Sequence, residues 1–340
     1  MRVSIPALFL ALLTAPAPAV AQLLPPAVSQ LPGQITAPLG GTTPLGTALP
    51  GAAGAAPLPM LAGPIGIPDL AGGPLISDAR ALLEQRRARL RQLVRDNRET
   101  LELDPLGNPV RRGELLAIGL DDAALARLAQ RGFGLVRREA AGDAGTVIIL
   151  RPPAKTRLEK ALAVLRATAP DVSADFNHVY EPAGAALQSQ GTALPASASA
   201  SGTSIGMIDG GVAAHPALAS ARIEQRGFAG PVKPTGHGTA VASLLVGQAA
   251  NFNGAARGAQ LLVADVYGGA SGNGSATAIA QALDWLASRG ARVINISLIG
   301  PANLLIGRAV AAAQARGLIV VAAVGNDGPA APPMYPASYP

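Results

Sequence analysis

The sequence predicts an α/β protein over residues 203–340, a doubly wound parallel sheet with helices on both faces, preceded by a small α+β domain at 112–181. Three observations carry this. Apolar, β-rich runs at 204–208, 260–265, 292–296 and 318–323 alternate with segments of helical period at 237–247, 276–288 and 303–315. Strands buried on both faces and joined by helices build parallel sheets, and right-handed crossovers put those helices on both sides. Upstream, residues 112–181 read strand, helix, hairpin, helix, strand, which is the order of a ferredoxin-like sandwich.

The elements follow in chain order. Arg2, the apolar run Ile5–Leu13 and Ala19-Val20-Ala21 form a charged start, a short apolar stretch and a small-x-small site, so residues 1–21 read as a secretory signal. The apolar run is too short to span a bilayer as a helix, and no transmembrane segment is expected in the mature chain. Residues 22–75 hold eleven prolines and ten glycines with Asp69 the only charge. Proline lacks the N–H and glycine costs backbone entropy, so this is a linker. Residues 76–111 hold a basic amphipathic helix and a connector. Ser77 caps the helix, which runs to about Arg98. Its leucines, among them Leu83, Leu90 and Leu93, share one side, and Arg86, Arg87, Arg89, Arg91 and Arg95 dominate the rest. Such a stripe docks on a neighbouring domain or lies on a membrane, and docking is expected.

In the small domain, Glu114–Leu120 is a strand and Asp121–Gln130 a helix. Gly134–Glu139 and Thr146–Leu150 make a hairpin. Thr156–Thr168 is a helix opened by a Thr156/Glu159 capping box, and Val172–Val179 is the last strand. Residues 182–202 are again Ala, Ser, Gly and Pro, a second linker of the kind that is readily nicked.

Composition bounds the function. The chain has 340 residues and no cysteine, which excludes disulfides, thiolate metal sites and a cysteine nucleophile. Its hydrophobic fraction of 49 % allows an exported protein to be held by its core alone. The net charge of +6 is not accompanied by aromatics interleaved with basic runs, the aromatic fraction being 3 %, so no nucleic-acid partner is expected.

Chemistry is concentrated in three short segments. Ile208-Asp209-Gly210-Gly211 follows an apolar run, Gly236-His237-Gly238-Thr239 opens a helix, and Val324-Gly325-Asn326-Asp327-Gly328 follows another run. In parallel sheets, functional groups gather outside the carboxyl ends of the strands. A carboxylate, an imidazole and an amide there supply a base orienter, a general base and an oxyanion donor for acyl transfer. Taken singly, each has a bland alternative: a turn aspartate, a helix-terminal histidine, a turn asparagine.

The three motifs together resemble the subtilisin-like serine peptidases over residues 203–340. Ser204–Val212 with His215-Pro216 resembles the family's aspartate strand, and Gly236–Ala242 its histidine helix. Val293–Leu298 resembles the strand bordering the primary specificity pocket, and Val321–Asn326 the oxyanion turn. The resemblance implies catalytic roles for Asp209, His237 and Asn326. It also implies a substrate edge at Gly272, Asn273 and Gly274 facing Ser297, Leu298 and Ile299, where a peptide adds as a strand. It further implies that 112–181 is an inhibitory propeptide whose tail, from Asp175 to Tyr180, enters the cleft. His178 would then be a propeptide contact.

The implied protein is a serine endopeptidase made as a secreted or periplasmic zymogen. Its partners are polypeptide substrates and its own propeptide, and no cofactor or metal is expected. Gly210, Ile299 and Ala240 depart from the residues usual in the family. The serine is absent too: the family places it roughly 65 residues beyond the oxyanion asparagine, and only 14 residues follow Asn326. The nucleophile is therefore expected beyond residue 340, and the 340-residue chain is expected to be inactive. The alternative is a peptide-binding pseudopeptidase that lacks the nucleophile. The loop Gly268–Ser275 lacks the lysine of a phosphate-binding loop, which leaves nucleotide binding a poor third.

Overall fold

The computed structural model describes residues 74–183, 199–250, 252–327 and 331–340. The expected signal peptide, nearly all of the first linker and most of the second lie outside the described residues.

Helix α1 (Pro74–Asp96) starts before Ser77, so that residue lies inside the helix and is not its cap. Its inward positions are 82, 83, 86, 90, 93 and 94, a 3.6-residue stripe. Leu90 is buried within it, and so is Arg86, which the leucine pattern had placed on the polar side. Strand β1 (Leu101–Leu103) then pairs with the start of β2 (Pro109–Ile118).

Helix α2 (Asp122–Gln130) follows, capped by Asp121, whose carboxylate accepts from the Ala124 N–H. The chain continues through β3 (Gly134–Ala140), β4 (Thr146–Arg151), α3 (Leu158–Thr168) and β5 (Ser173–His178). The strands lie in the antiparallel order β5–β2–β4–β3, the ferredoxin-like arrangement. Leu115, Leu128, Leu150 and Leu165 form the core between this sheet and its two helices. The capping box expected at Thr156 is not formed. Helix α3 starts two residues later, and its N-cap, Arg157, makes no side-chain capping bond.

After β5 the chain leaves this sheet as the short strand β6 (Glu181–Pro182). The second sheet consists of β7 (Ser204–Asp209), β8 (Arg222–Gly227), β11 (Gln260–Asp265), β12 (Val293–Ile296) and β14 (Ile319–Ala322). Its order is β14–β12–β7–β11–β8 and every pairing is parallel. A short pair, β9 (Gln248–Ala249) and β10 (Phe252–Asn253), and the two-residue β13 (Leu298–Ile299) lie outside this sheet. Helices α4 (Gly236–Val246), α5 (Ala276–Ser288) and α6 (Leu304–Ala315) cover it. Ile208, Leu262, Ile279 and Ile306 pack in one layer; Met207, Leu261, Val263 and Ala242 pack in the other. Two separate layers are what a doubly wound sheet requires.

The first core layer also contains Leu116, Val147 and Ile149 of the small domain. The antiparallel sheet is thus packed by its outer face onto helices α5 and α6. The Asn303 side chain joins the two. Its Oδ1 accepts from Leu305 N at 3.1 Å, capping α6, while its Nδ2 donates to Phe176 O at 2.9 Å.

Candidate active site

Asp209 is the last residue of the central strand β7, and its register partner on β11 is Asp265. The carboxylate of Asp209 is almost wholly buried and accepts from its neighbour Gly210 N at 2.6 Å. His237 stands in the first turn of α4, directly above. Its Nδ1 lies 2.9 Å from Asp209 Oδ1 and 2.8 Å from Oδ2. A carboxylate only accepts, so Nδ1 carries the proton and the neutral ring presents Nε2 as a base. The hydrogen bond to Asp209 raises the imidazole above its ordinary value, against a downward push from burial.

The N-terminus of α4 is set by Thr235, whose Oγ1 accepts from Gly238 N at 3.0 Å. This cap explains the departure at Gly210. A Cβ on Gly210 would stand 2.4 Å from Thr235 Oγ1, so the threonine occupies the space that a side chain there would need.

On its free side, His237 Nε2 meets a backbone carbonyl, Ala183 O, at 3.1 Å. Two acceptors facing one another are satisfied only when the ring is an imidazolium, and this contact adds to the upward shift. No serine hydroxyl among the described residues bonds to this nitrogen.

Ala183 ends an extended segment of the chain itself. Val179 bridges Ser275, and Tyr180 N donates to Gly274 O at 2.7 Å. Glu181 and Pro182 pair with Ile299 and Leu298, and Ala183 N donates to Ser297 O at 2.8 Å. The segment is therefore the middle strand between two edges, one at Gly274 and the other at Ser297–Ile299. Gly272 and Asn273 lie in the adjoining turn. Asn273 Oδ1 accepts from Arg111 at 3.4 Å, and its Nδ2 donates to Tyr267 O at 3.1 Å. Of the expected edge residues, Gly274, Ser297, Leu298 and Ile299 meet this strand, while Gly272 lies against Asn97 and Leu101 and the Asn273 side chain turns to Arg111 and Tyr267.

Tyr180 anchors this strand. It is fully buried, its hydroxyl donates to Pro301 O at 2.7 Å, and its own carbonyl accepts from the Tyr267 hydroxyl at 3.2 Å. Its ring lies over Gly300, where a Cβ would come within 2.5 Å of it. Burial pushes both phenols well above their ordinary value, so both stay neutral donors.

Asn326 lies in the turn after β14, where Gly325 takes the positive φ of +84° that the turn needs. Its side chain is exposed and bonds to no described residue. It lines a cavity of about 450 Å³ with Glu181, Pro182, Ile299 and Asp327. His178 is away from this site. Its Nε2 lies 3.2 Å from Asp104 Oδ2, and its Nδ1 2.9 Å from Asn303 Nδ2. Ser275 caps α5, its Oγ accepting from Ala278 N at 3.3 Å.

Residues 200–340 match the model of the subtilase family. Over that segment the chain is similar to the subtilases. It is 38 % identical over 149 residues to Subtilisin Savinase of Lederbergia lenta, covering 41 % of this chain and 53 % of that protein. Thermitase of Thermoactinomyces vulgaris is 36 % identical over 151 residues, covering 42 % and 53 %. The chain thus spans about half the length of these curated relatives. Among solved structures it is similar to fervidolysin from Fervidobacterium pennivorans, a keratinolytic enzyme related to subtilisin. The TM-score is 0.52 at 16 % identity, over 66 % of this chain and 41 % of that one. That likeness bears on the fold alone. The sheet within the matched segment is the parallel sheet expected from the alternating runs, and Asp209, His237 and Asn326 all lie in that segment.

The sequence reading missed two features of this site. Strand β8 was unread because Arg222, Glu224 and Arg226 give it a polar, edge-strand face. The part taken by α1 was unread because Arg86 looks like any other surface arginine. Its only signal is its place in the leucine stripe.

Proposed function

We propose that the chain is the zymogen form of an exported serine endopeptidase, with residues 112–183 acting as its intramolecular inhibitor. In this reading Asp209 orients His237, and His237 Nε2 takes the proton of a serine hydroxyl as its oxygen attacks the peptide carbonyl carbon. Asn326 donates to the oxygen that becomes negative. Collapse breaks the C–N bond as His237 returns the proton to the leaving amine, and water then hydrolyses the acyl-enzyme by the same route. The serine is expected in frame beyond Pro340, in a Gly-Thr-Ser turn.

One observation carries the reading. The base–orienter pair has a peptide strand beside it, and the carbonyl of that strand sits at the nitrogen that must accept the proton. Ala183 is then the residue before the cleaved bond, and Ala183–Gly184 is the bond processed on maturation. Glu181, Pro182 and Tyr180 fill the preceding subsites.

The test is labelling of the protein, extended in frame past Pro340, with a fluorophosphonate. Labelling of one serine that is lost in His237→Ala supports the proposal. A reading frame that encodes no such serine overturns it and leaves the alternative, a scaffold that grips extended peptide without cutting it.

A further inference from the structure

Helix α1 carries an arginine where its packing stripe calls for a leucine. Arg86 lies between Leu82/Leu83 and Leu90, and its side chain is 11 % exposed. An arginine buried without a counter-charge is costly, and removing one member of a buried pair typically destabilises strongly. Its counter-charge is Asp327, at 3.1 Å from Nε to Oδ2, with the carboxylate 9 % exposed. The Arg86 N–H does not point along the line to that oxygen, so the pair is held by charge more than by a directional bond. One turn on, Arg89 reaches Asp327 Oδ1 and Glu181 Oε1, each at 3.4 Å.

These contacts have a particular address. Asp327 follows Asn326, and Glu181 is the middle residue of the strand lying in the channel. Arg86 therefore holds the turn assigned to the oxyanion, and Arg89 bridges that turn and the peptide assigned to inhibition. Burial pushes the Glu181 carboxyl up, Arg89 and Arg86 pull it back, and Asp327 pushes it up again. Without α1, two carboxylates would face each other across the cavity with no cation between them. The apolar contacts of α1 are modest by comparison, since Leu90 is the one leucine of the helix that is buried outright among its described side chains.

We propose that α1 is a second inhibitory element, a charge-held strap that closes over the Asn326–Asp327 turn and pins the inhibitory strand through Arg89 and Glu181. The inference rests on the peptidase reading for its purpose, but the coupling it asserts does not. A buried pair roughly offsets its own desolvation, so the strap is selective for its site and still releasable. Exposed Arg89 is the part that salt screens most readily. Release of the strap comes first, and it loosens the strand.

Hydrogen exchange read by mass spectrometry on the 340-residue chain tests this. The samples are wild type, Asp327→Asn, Arg86→Gln and the charge swap Arg86→Asp with Asp327→Arg. Each single variant is expected to speed exchange of residues 82–93 by about tenfold or more. Each should also speed the amides of Glu181 and Ala183, while β4 and β7 stay protected as in wild type. Raising ionic strength from about 0.01 M to about 1 M should do the same to wild type. The swap should recover a large part of the protection, which separates lost pairing from a damaged fold. Unchanged exchange in α1 would overturn the proposal. So would a faster α1 over a Glu181–Ala183 segment that exchanges at the wild-type rate, because α1 would then be docked without strapping anything. No catalysis enters the readout, so failure here leaves the peptidase reading standing, and failure of the fluorophosphonate test leaves this result intact.

Discussion

Truncation of Tyr180 should release the strand from the channel while leaving both sheets folded. The side chain is wholly buried, yet it lies on the connector between β5 and β6 and belongs to neither sheet. In Tyr180→Phe the ring remains and the bond to Pro301 O is lost, a cost of about 1 kcal/mol. In Tyr180→Ala the ring is lost as well, and buried aromatic truncations cost about 3–5 kcal/mol. Because Gly300 offers no side chain to collapse into the gap, the upper part of that range applies. If this energy falls on the docked strand, its local opening is favoured by about fivefold in the first variant and by about two orders of magnitude or more in the second. Hydrogen exchange at the Tyr180 and Ala183 amides reads the effect directly, with the β7 amides as the internal reference. Wild-type exchange at both amides in Tyr180→Ala would refute the anchoring argument. A general loss of protection in β2 and β7 would show that the residue holds the fold and not the strand.

Other outcomes follow from the same geometry. His237 has a raised pKa with the strand docked, and the Ala183 carbonyl contributes to it, so docking favours the protonated ring. That contribution is fully present below the ordinary imidazole value of 6.5 and is lost as pH rises through the raised value. Asp209 raises the ring in both states, so the docked strand should weaken only between the undocked and the docked values, by up to about 1.4 kcal/mol per pH unit, the slope for one proton, as measured by exchange corrected for its intrinsic pH dependence. Gly300→Ala puts a methyl group into the Tyr180 ring, and should free the Glu181 and Ala183 amides without moving β12. Gly210→Ser displaces Thr235 and so weakens the cap of α4 by about 1 kcal/mol; a shift in the His237 ring resonances would report it, and unchanged resonances would count against the packing argument. Asn303→Ala removes both the α6 cap and the bond to Phe176 O, and should lower the melting temperature and loosen the small domain together.

What the sequence made legible was set by periodicity and by rare residue types. The parallel sheet was readable because β7 and β11 are buried along nearly their whole length and so appear as apolar runs. Asp209 and His237 were readable because each terminates or opens such an element, and the 2.8–2.9 Å contacts follow from that placement. Edge strands were harder. Strand β8 shows charges along its length, and β1 is three residues long. Caps were decided by the local path of the chain, as at Thr156, where the turn around Lys155 with φ +60° delays the helix. Arg86 was unreadable for a different reason. Its partner is 241 positions away, in a turn whose place is fixed only by the complete sheet. The pairing of β6 with β13 was likewise set by backbone hydrogen bonds, which no side-chain pattern announces.

The central claim is that Asp209 holds His237 as a base with Nε2 turned to the peptide channel. Nitrogen–proton correlation spectra of the imidazole rings, recorded on the 340-residue chain across the titration of His237 and assigned with His237→Ala, test it most directly. The account predicts that above the raised pKa the neutral His237 ring is the Nδ1–H tautomer, and that this preference is lost in Asp209→Asn. A neutral His237 ring protonated on Nε2 would contradict the account, because no proton could then be accepted on the side where the peptide lies.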